Sequence, residues 1–90
     1  MAKLKFEIWE TSQSTECSAV SEGWDRVREP GAVRLESFHA STHEEAMNHY
    51  HRRMGWGPYK PVSGYTDITF RDEQVSEQEA YLSVRSPVWA

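Results

Sequence analysis

One cysteine, Cys17, stands alone in 90 residues. A single thiol cannot close an intrachain disulfide or build a cysteine-based zinc site. It fits a reducing cytoplasm better than an oxidising compartment. Long apolar runs are also lacking. The N-terminus Met1-Ala2-Lys3-Leu4-Lys5 has no apolar stretch of signal-peptide length. Nothing approaches the ~20 apolar residues of a membrane helix. These absences predict a cytoplasmic protein with no membrane partner. Positive charge is short as well, the chain carrying a net charge of −4. That disfavours nucleic-acid binding through bulk charge. Low-complexity tracts, internal repeats and linkers are missing, so residues 1–90 are expected to form one domain.

Aromatic residues are well represented, with four Trp, four Tyr and three Phe. Such a composition can bury a core and is unlike that of a disordered chain. Leu4, Phe6 and Ile8 alternate with Lys3, Lys5 and Glu7, which predicts a strand with one buried face. Trp9 falls on the other parity. Residues 11–23 are rich in Ser, Thr, Glu and Gly, and 11–31 is expected to form a long irregular loop. Within that stretch Val20, Gly23, Trp24 and Val27 have helical spacing, but Gly23 weakens a helix, and an extended arm is the preferred expectation. Pro30-Gly31 suits a type II turn that would close a hairpin with the following strand. Val33 and Leu35, then Phe38, predict that strand over 32–39. The parity slip means that Phe38 faces away or that a bulge corrects the register.

Thr42 and Glu45 match a capping box, and Ala46, Met47, Tyr50 and Met54 recur at helical spacing. Arg52 and Arg53 fall in the last turn and Gly55 is placed to end the helix, giving a helix over 43–54. Ile68 and Phe70 suggest a third short strand. Ser76 with Glu79, and Val75 with Ala80, suggest a second helix over 77–85. The expected fold is α+β: a small single-layer, mostly antiparallel sheet of about three strands, with two helices laid on one face.

Catalytic and metal signatures are hard to find. His39, His43, His49 and His51 lack the i, i+4 pairing of a helical metal site, since position 47 is Met. His49 and His51 lie about 200° apart around a helix. Neither Cys17 nor any Ser sits in a nucleophile motif. Glu44-Glu45 is accounted for by the helix dipole. No cofactor or metal is expected, and the balance leans away from an enzyme. Gly55-Trp56-Gly57 follows a helix, so it does not aim N-terminal amides at an anion.

One segment stands out. Residues 50–61, Tyr50-His51-Arg52-Arg53-Met54-Gly55-Trp56-Gly57-Pro58-Tyr59-Lys60-Pro61, hold three aromatics, three fixed cations, two prolines and two glycines. The middle third of the chain, 31–60, is net +1, against −2 and −3 for the flanking thirds. Clusters of aromatics with Arg are frequent at protein hot spots. Trp56 is expected to fold back and seal the core, leaving Tyr59 and the cations exposed. The leading expectation is an interaction module that binds a protein partner or itself, with a possible homodimer. Its surface would be Arg52, Arg53, Trp56, Tyr59 and Lys60, with His49 and His51 as secondary candidates. Two alternatives stand beside it: a single-stranded nucleic-acid binder using the same patch, and a small-ligand binder or enzyme using the histidines.

Overall fold

The computed structural model describes residues 2–61 and 63–89. Strands β1 (Leu4–Glu10), β2 (Thr15–Ala19) and β3 (Val33–Ala40) form an antiparallel sheet of order β2-β1-β3. The helices are α1 (Glu22–Val27), α2 (His43–Met54) and α3 (Asp72–Val84), followed by a 3-10 turn at Pro87–Trp89. The fold is therefore α+β, with three strands and two long helices.

β1 is the central strand, and both of its faces are covered. Leu4, Phe6 and Ile8 point to one side; Glu7 and Trp9, on the opposite parity, are equally buried. The first face holds the apolar core of Leu4, Phe6, Ala40 and Ala46, with Phe38, Met47, Phe70 and Val75 packed around it.

The stretch 11–31 is not an irregular loop. It contains β2 and α1. β2 gave no apolar alternation because its side chains are small or polar on both faces. Cys17 lies opposite Ile8, while Glu16 and Ser18 lie opposite Trp9 and Glu7. The β1–β2 connection is closed by Thr11, whose amide donates to the Ser14 carbonyl at 2.7 Å. Glu29 clamps it from outside, accepting from the Ser12 amide at 2.7 Å and hydroxyl at 2.6 Å. α1 is capped by the Ser21 hydroxyl, which accepts from the Trp24 amide. Its helical stripe is not what it buries, for Val27 is 71% exposed while Asp25 is 5% exposed. Pro30-Gly31 does form the turn, with the Ala32 amide on the Glu29 carbonyl and Gly31 at φ 91°. The turn joins α1 to β3 instead of closing a hairpin.

The parity slip in β3 is a bulge. Ile8 pairs with Glu36 and Trp9 with Arg34, so Leu35 is the extra residue. Phe38 thereby returns to the core face, its ring stacked 5.7 Å from Phe6. α2 occupies the expected span. Thr42 accepts from the Glu45 amide, but the Glu45 carboxylate reaches the Ser41 amide rather than that of Thr42. At the other end the Gly55 amide bonds Arg52 and the Trp56 amide bonds His51, a Schellman closure. Gly55 sits at φ 75°, which is left-handed and strained for any side chain.

The 68–70 segment is not a strand of the sheet; it makes one isolated bridge, Thr42 to Thr69. Phe70 nonetheless packs on Phe6 at 6.0 Å. The expected Ser76 cap is unused, because α3 begins earlier, at Asp72. There the Gln74 side chain accepts from the Arg71 amide, and Asp72 and Glu73 favour the dipole. The two long helices do not share one face. α2 covers the apolar side, whereas α3 passes the sheet margin where β2 stops. Gln78 fills that gap: its carboxamide accepts from the Lys5 amide and donates to the Lys5 and Val20 carbonyls, continuing the ladder as a missing strand residue would. Val75 meets the apolar core before this crossing, and Arg85 reaches Glu7 on the far face after it. No helix among the described residues is long and apolar enough to cross a membrane.

Candidate functional site

The corner after α2 is a run of edge-to-face rings leading from the core to the surface. Tyr50 is buried, and its hydroxyl hydrogen-bonds Thr15 at 2.7 Å. Trp56 stands edge-on to Tyr50 at 5.1 Å and to His51 at 5.4 Å. Tyr59 lies edge-on to His51 at 5.4 Å and to His43 at 6.5 Å. The His51 ring also donates to the Gly57 carbonyl at 2.9 Å, pinning the loop to the helix. Trp56 does not seal the core, as its sequence context suggested. It is 52% exposed, because the Gly55 turn carries it off the helix and Tyr50 already fills the space beneath.

The basic residues divide into two groups. His49 bonds Glu36 at 2.6 Å and stacks on Phe38 at 3.9 Å, and Arg53 pairs with the same Glu36 at 3.3 Å. Both are thereby committed to β3. The Arg52 and Lys60 side chains are exposed and, among the described residues, make no hydrogen bond or ion pair. The structure thus joins Trp56, Tyr59 and His51 through their rings, sets Arg53 and His49 over Glu36, and leaves two cations uncommitted.

The second site has no counterpart in the sequence reading. On the far face of β1, Glu7, Asp25 and Arg28 are buried at 1%, 5% and 6% exposure. Arg85 bridges the two carboxylates, reaching Glu7 at 2.7 and 3.0 Å and Asp25 at 2.7 and 2.9 Å. Arg28 bonds Asp25 and also reaches Glu16 at 3.3 Å, while Arg34 bonds Glu7 at 3.3 Å. Tyr81 donates to Asp25 at 2.5 Å and the Trp9 indole to Glu7 at 3.0 Å. The Arg28 guanidinium lies over the rings of Trp9 at 4.4 Å and Trp89 at 5.1 Å, a pair of cation–π contacts. The only hint was Glu7 and Trp9 sharing a parity on β1; Asp25 and Arg85 carried none.

Burial alone would push both carboxyl groups up. Hydrogen bonds from Arg85 and Trp9 to Glu7, and from Arg85, Tyr81 and Arg28 to Asp25, reverse that and hold both below the ordinary carboxylate range. A carboxylate with a depressed folded-state pKa stabilises the fold above its unfolded pKa and loses that contribution as acid protonates it. Stability should therefore be flat near neutrality and fall as pH drops below about 5, as the groups approach their unfolded values near 4. Urea titrations at stepped pH test this. A denaturation midpoint constant down to pH 3 would show that these carboxylates are not coupled to folding.

Cys17 faces α2, where burial, aided by the charge of Glu36, pushes its thiol up to about 12. It is held as the thiol at neutral pH. Among the described residues no three His, Cys, Asp or Glu converge where they could hold a metal ion.

Fold and sites together define a small α+β domain with an apolar layer on one side of its sheet and an ionic–aromatic layer on the other. No protein-family model matches the chain, and no curated protein or solved structure is significantly similar to it.

Proposed function

We propose that the protein is a small cytoplasmic binding module that engages a protein partner, or a second copy of itself, through the corner formed by Arg52, Arg53, Trp56, Tyr59 and Lys60. The observation that carries this reading is Trp56, half exposed yet braced by two edge-on rings. An anchor already held in place loses little conformational freedom on docking, which raises the affinity gained from its buried area. Arg52 and Lys60 bring charges that are unpaired among the described residues, suited to an acidic rim on the bound surface. The lone thiol Cys17 agrees with a reducing, cytoplasmic setting.

Sedimentation over a range of concentrations, with affinity capture of bound proteins, compares the wild type with a Trp56→Ala/Arg52→Ala variant. Truncating a hot-spot aromatic costs about 2 kcal/mol or more, so association should weaken by at least ~30-fold while the fold survives. Equal association by a folded double variant rejects the surface. Binding of single-stranded oligonucleotides that falls steeply with salt would transfer the corner to nucleic-acid recognition.

A further inference from the structure

We propose that the pocket between β1, β3 and the end of α3, on the far face of the sheet from α2, binds a phosphate group, free or carried on a small molecule. It is lined by Lys5, Arg34, Leu82, Arg85, Ser86 and Pro87 and has a volume of about 190 Å³. That is below the roughly 300–1,000 Å³ of pockets holding drug-sized ligands, which fits a single oxyanion with a short substituent.

Three cations and a hydroxyl line one small concavity in a chain whose net charge is −4. Glu7 lies behind them and accepts from both Arg34 and Arg85, and Asp25 accepts from Arg85 while also pairing with Arg28. Among the described residues, Lys5, Arg28, Arg34 and Arg85 stand against Glu7, Asp25 and Glu16, the last paired with Arg28, so the layer keeps a single positive excess. The excess is also visible as unspent hydrogen-bond donors. Arg34 uses Nη1, on Glu7 and the Trp89 carbonyl, and among the described residues its Nε–H and its Nη2 amino group have no acceptor. Lys5 uses its backbone amide and carbonyl on Gln78, and its ammonium group has no partner among the described residues. The Ser86 hydroxyl oxygen accepts weakly from the Val88 amide at 3.4 Å, and among the described residues its hydrogen has no acceptor.

The framework is already rigid. Arg85 has a side chain only 7% exposed, and its guanidinium is fixed by two buried carboxylates, so little order remains to be imposed when an anion arrives. Planar guanidinium groups with free N–H bonds match the oxygens of phosphate, and the ammonium group adds a point charge. A second basic concavity, at Arg52, Arg53 and His49, has a carboxylate in its own wall, Glu36, paired with Arg53 and His49, whereas among the described residues no carboxylate lines the pocket of Lys5, Arg34 and Ser86.

The test is a titration of the full chain with sodium phosphate at constant ionic strength, followed by amide NMR. Saturable shifts with a millimolar midpoint are expected at Lys5, Arg34 and Ser86. Lys5→Met keeps the half-buried stem and removes the charge, and should weaken binding about tenfold; Ser86→Ala should weaken it about threefold. Glycerol phosphate binding more tightly than inorganic phosphate would identify a carried group, and the reverse order a free one. Shifts that do not saturate, that chloride reproduces, that centre on Arg52 and Lys60, or that persist unchanged in both folded variants overturn the proposal.

Discussion

Replacing Arg85 with alanine is expected to cost about 3–5 kcal/mol of folding stability, the penalty for removing one member of a buried ion cluster. For a domain whose total is on the order of 5–15 kcal/mol, that is enough to leave it close to unfolding. Arg85 gives Glu7 and Asp25 four hydrogen bonds between them. Without it, two nearly inaccessible carboxylates lose their common counter-ion. Arg28 and Arg34 remain, but each touches only one of the two. The loss has an electrostatic signature. In the variant, burial would no longer be opposed by Arg85, so both groups would bind protons more readily than in the wild type. The gap in stability between wild type and Arg85→Ala should then narrow as pH falls from 7 toward 4. Urea denaturation at several pH values measures it. A deficit below ~1 kcal/mol, the size of an exposed ion pair, would demote the cluster to a minor contributor. A large deficit that ignores pH would assign the effect to packing of the arginine stem.

Phe6→Ala should be comparably damaging, at about 3–5 kcal/mol, because truncating a buried aromatic loses transfer free energy and leaves a cavity. Phe6 is 2% exposed, and its ring contacts those of Phe38 and Phe70 at centroid distances of 5.7 and 6.0 Å. It ties together β1, β3 and the connection leading into α3. Because Phe70 lies outside any strand or helix, its attachment depends on this contact and on the Phe70 amide bond to Ser41. A double-mutant cycle with Phe70→Ala should show a coupling of about 0.5–1.5 kcal/mol, the range for aromatic pairs. Additive losses would mean that the segment before α3 is held by its backbone bonds alone.

How much of this was legible depended on how local each signal is. The α2 boundaries were readable because a capping hydroxyl, a helical stripe and a terminal glycine all act within a few residues of one another. The bulge at Leu35 was visible as a parity slip, though only the pairing with β1 chose between the two ways of resolving it. β2 was invisible because its strand character rests on its neighbours: its side chains meet Ile8 on one face and the charged layer on the other. The start of α3 was misplaced because Ser76-Glu79 is a chemically sound cap that Arg71-Gln74 pre-empts one turn earlier. At the corner after α2, residue types alone marked a basic aromatic cluster. They did not say that Trp56 stays half exposed while Arg53 and His49 turn inward to Glu36.

The amino-acid sequence by itself determined the fold class, the strand that begins at Leu4, the α2 helix with both its ends, and the uneven charge along the chain. Only the tertiary structure decided the strand order, the route of α3 across the sheet margin, and the ionic layer in which Arg85 meets Glu7 and Asp25 across 78 and 60 positions. The reason is the range of the forces involved. Capping, alternation and turn preference are energies of neighbouring residues and are written consecutively. The pairing of buried charges exists only after the chain has brought distant segments together and removed the water between them.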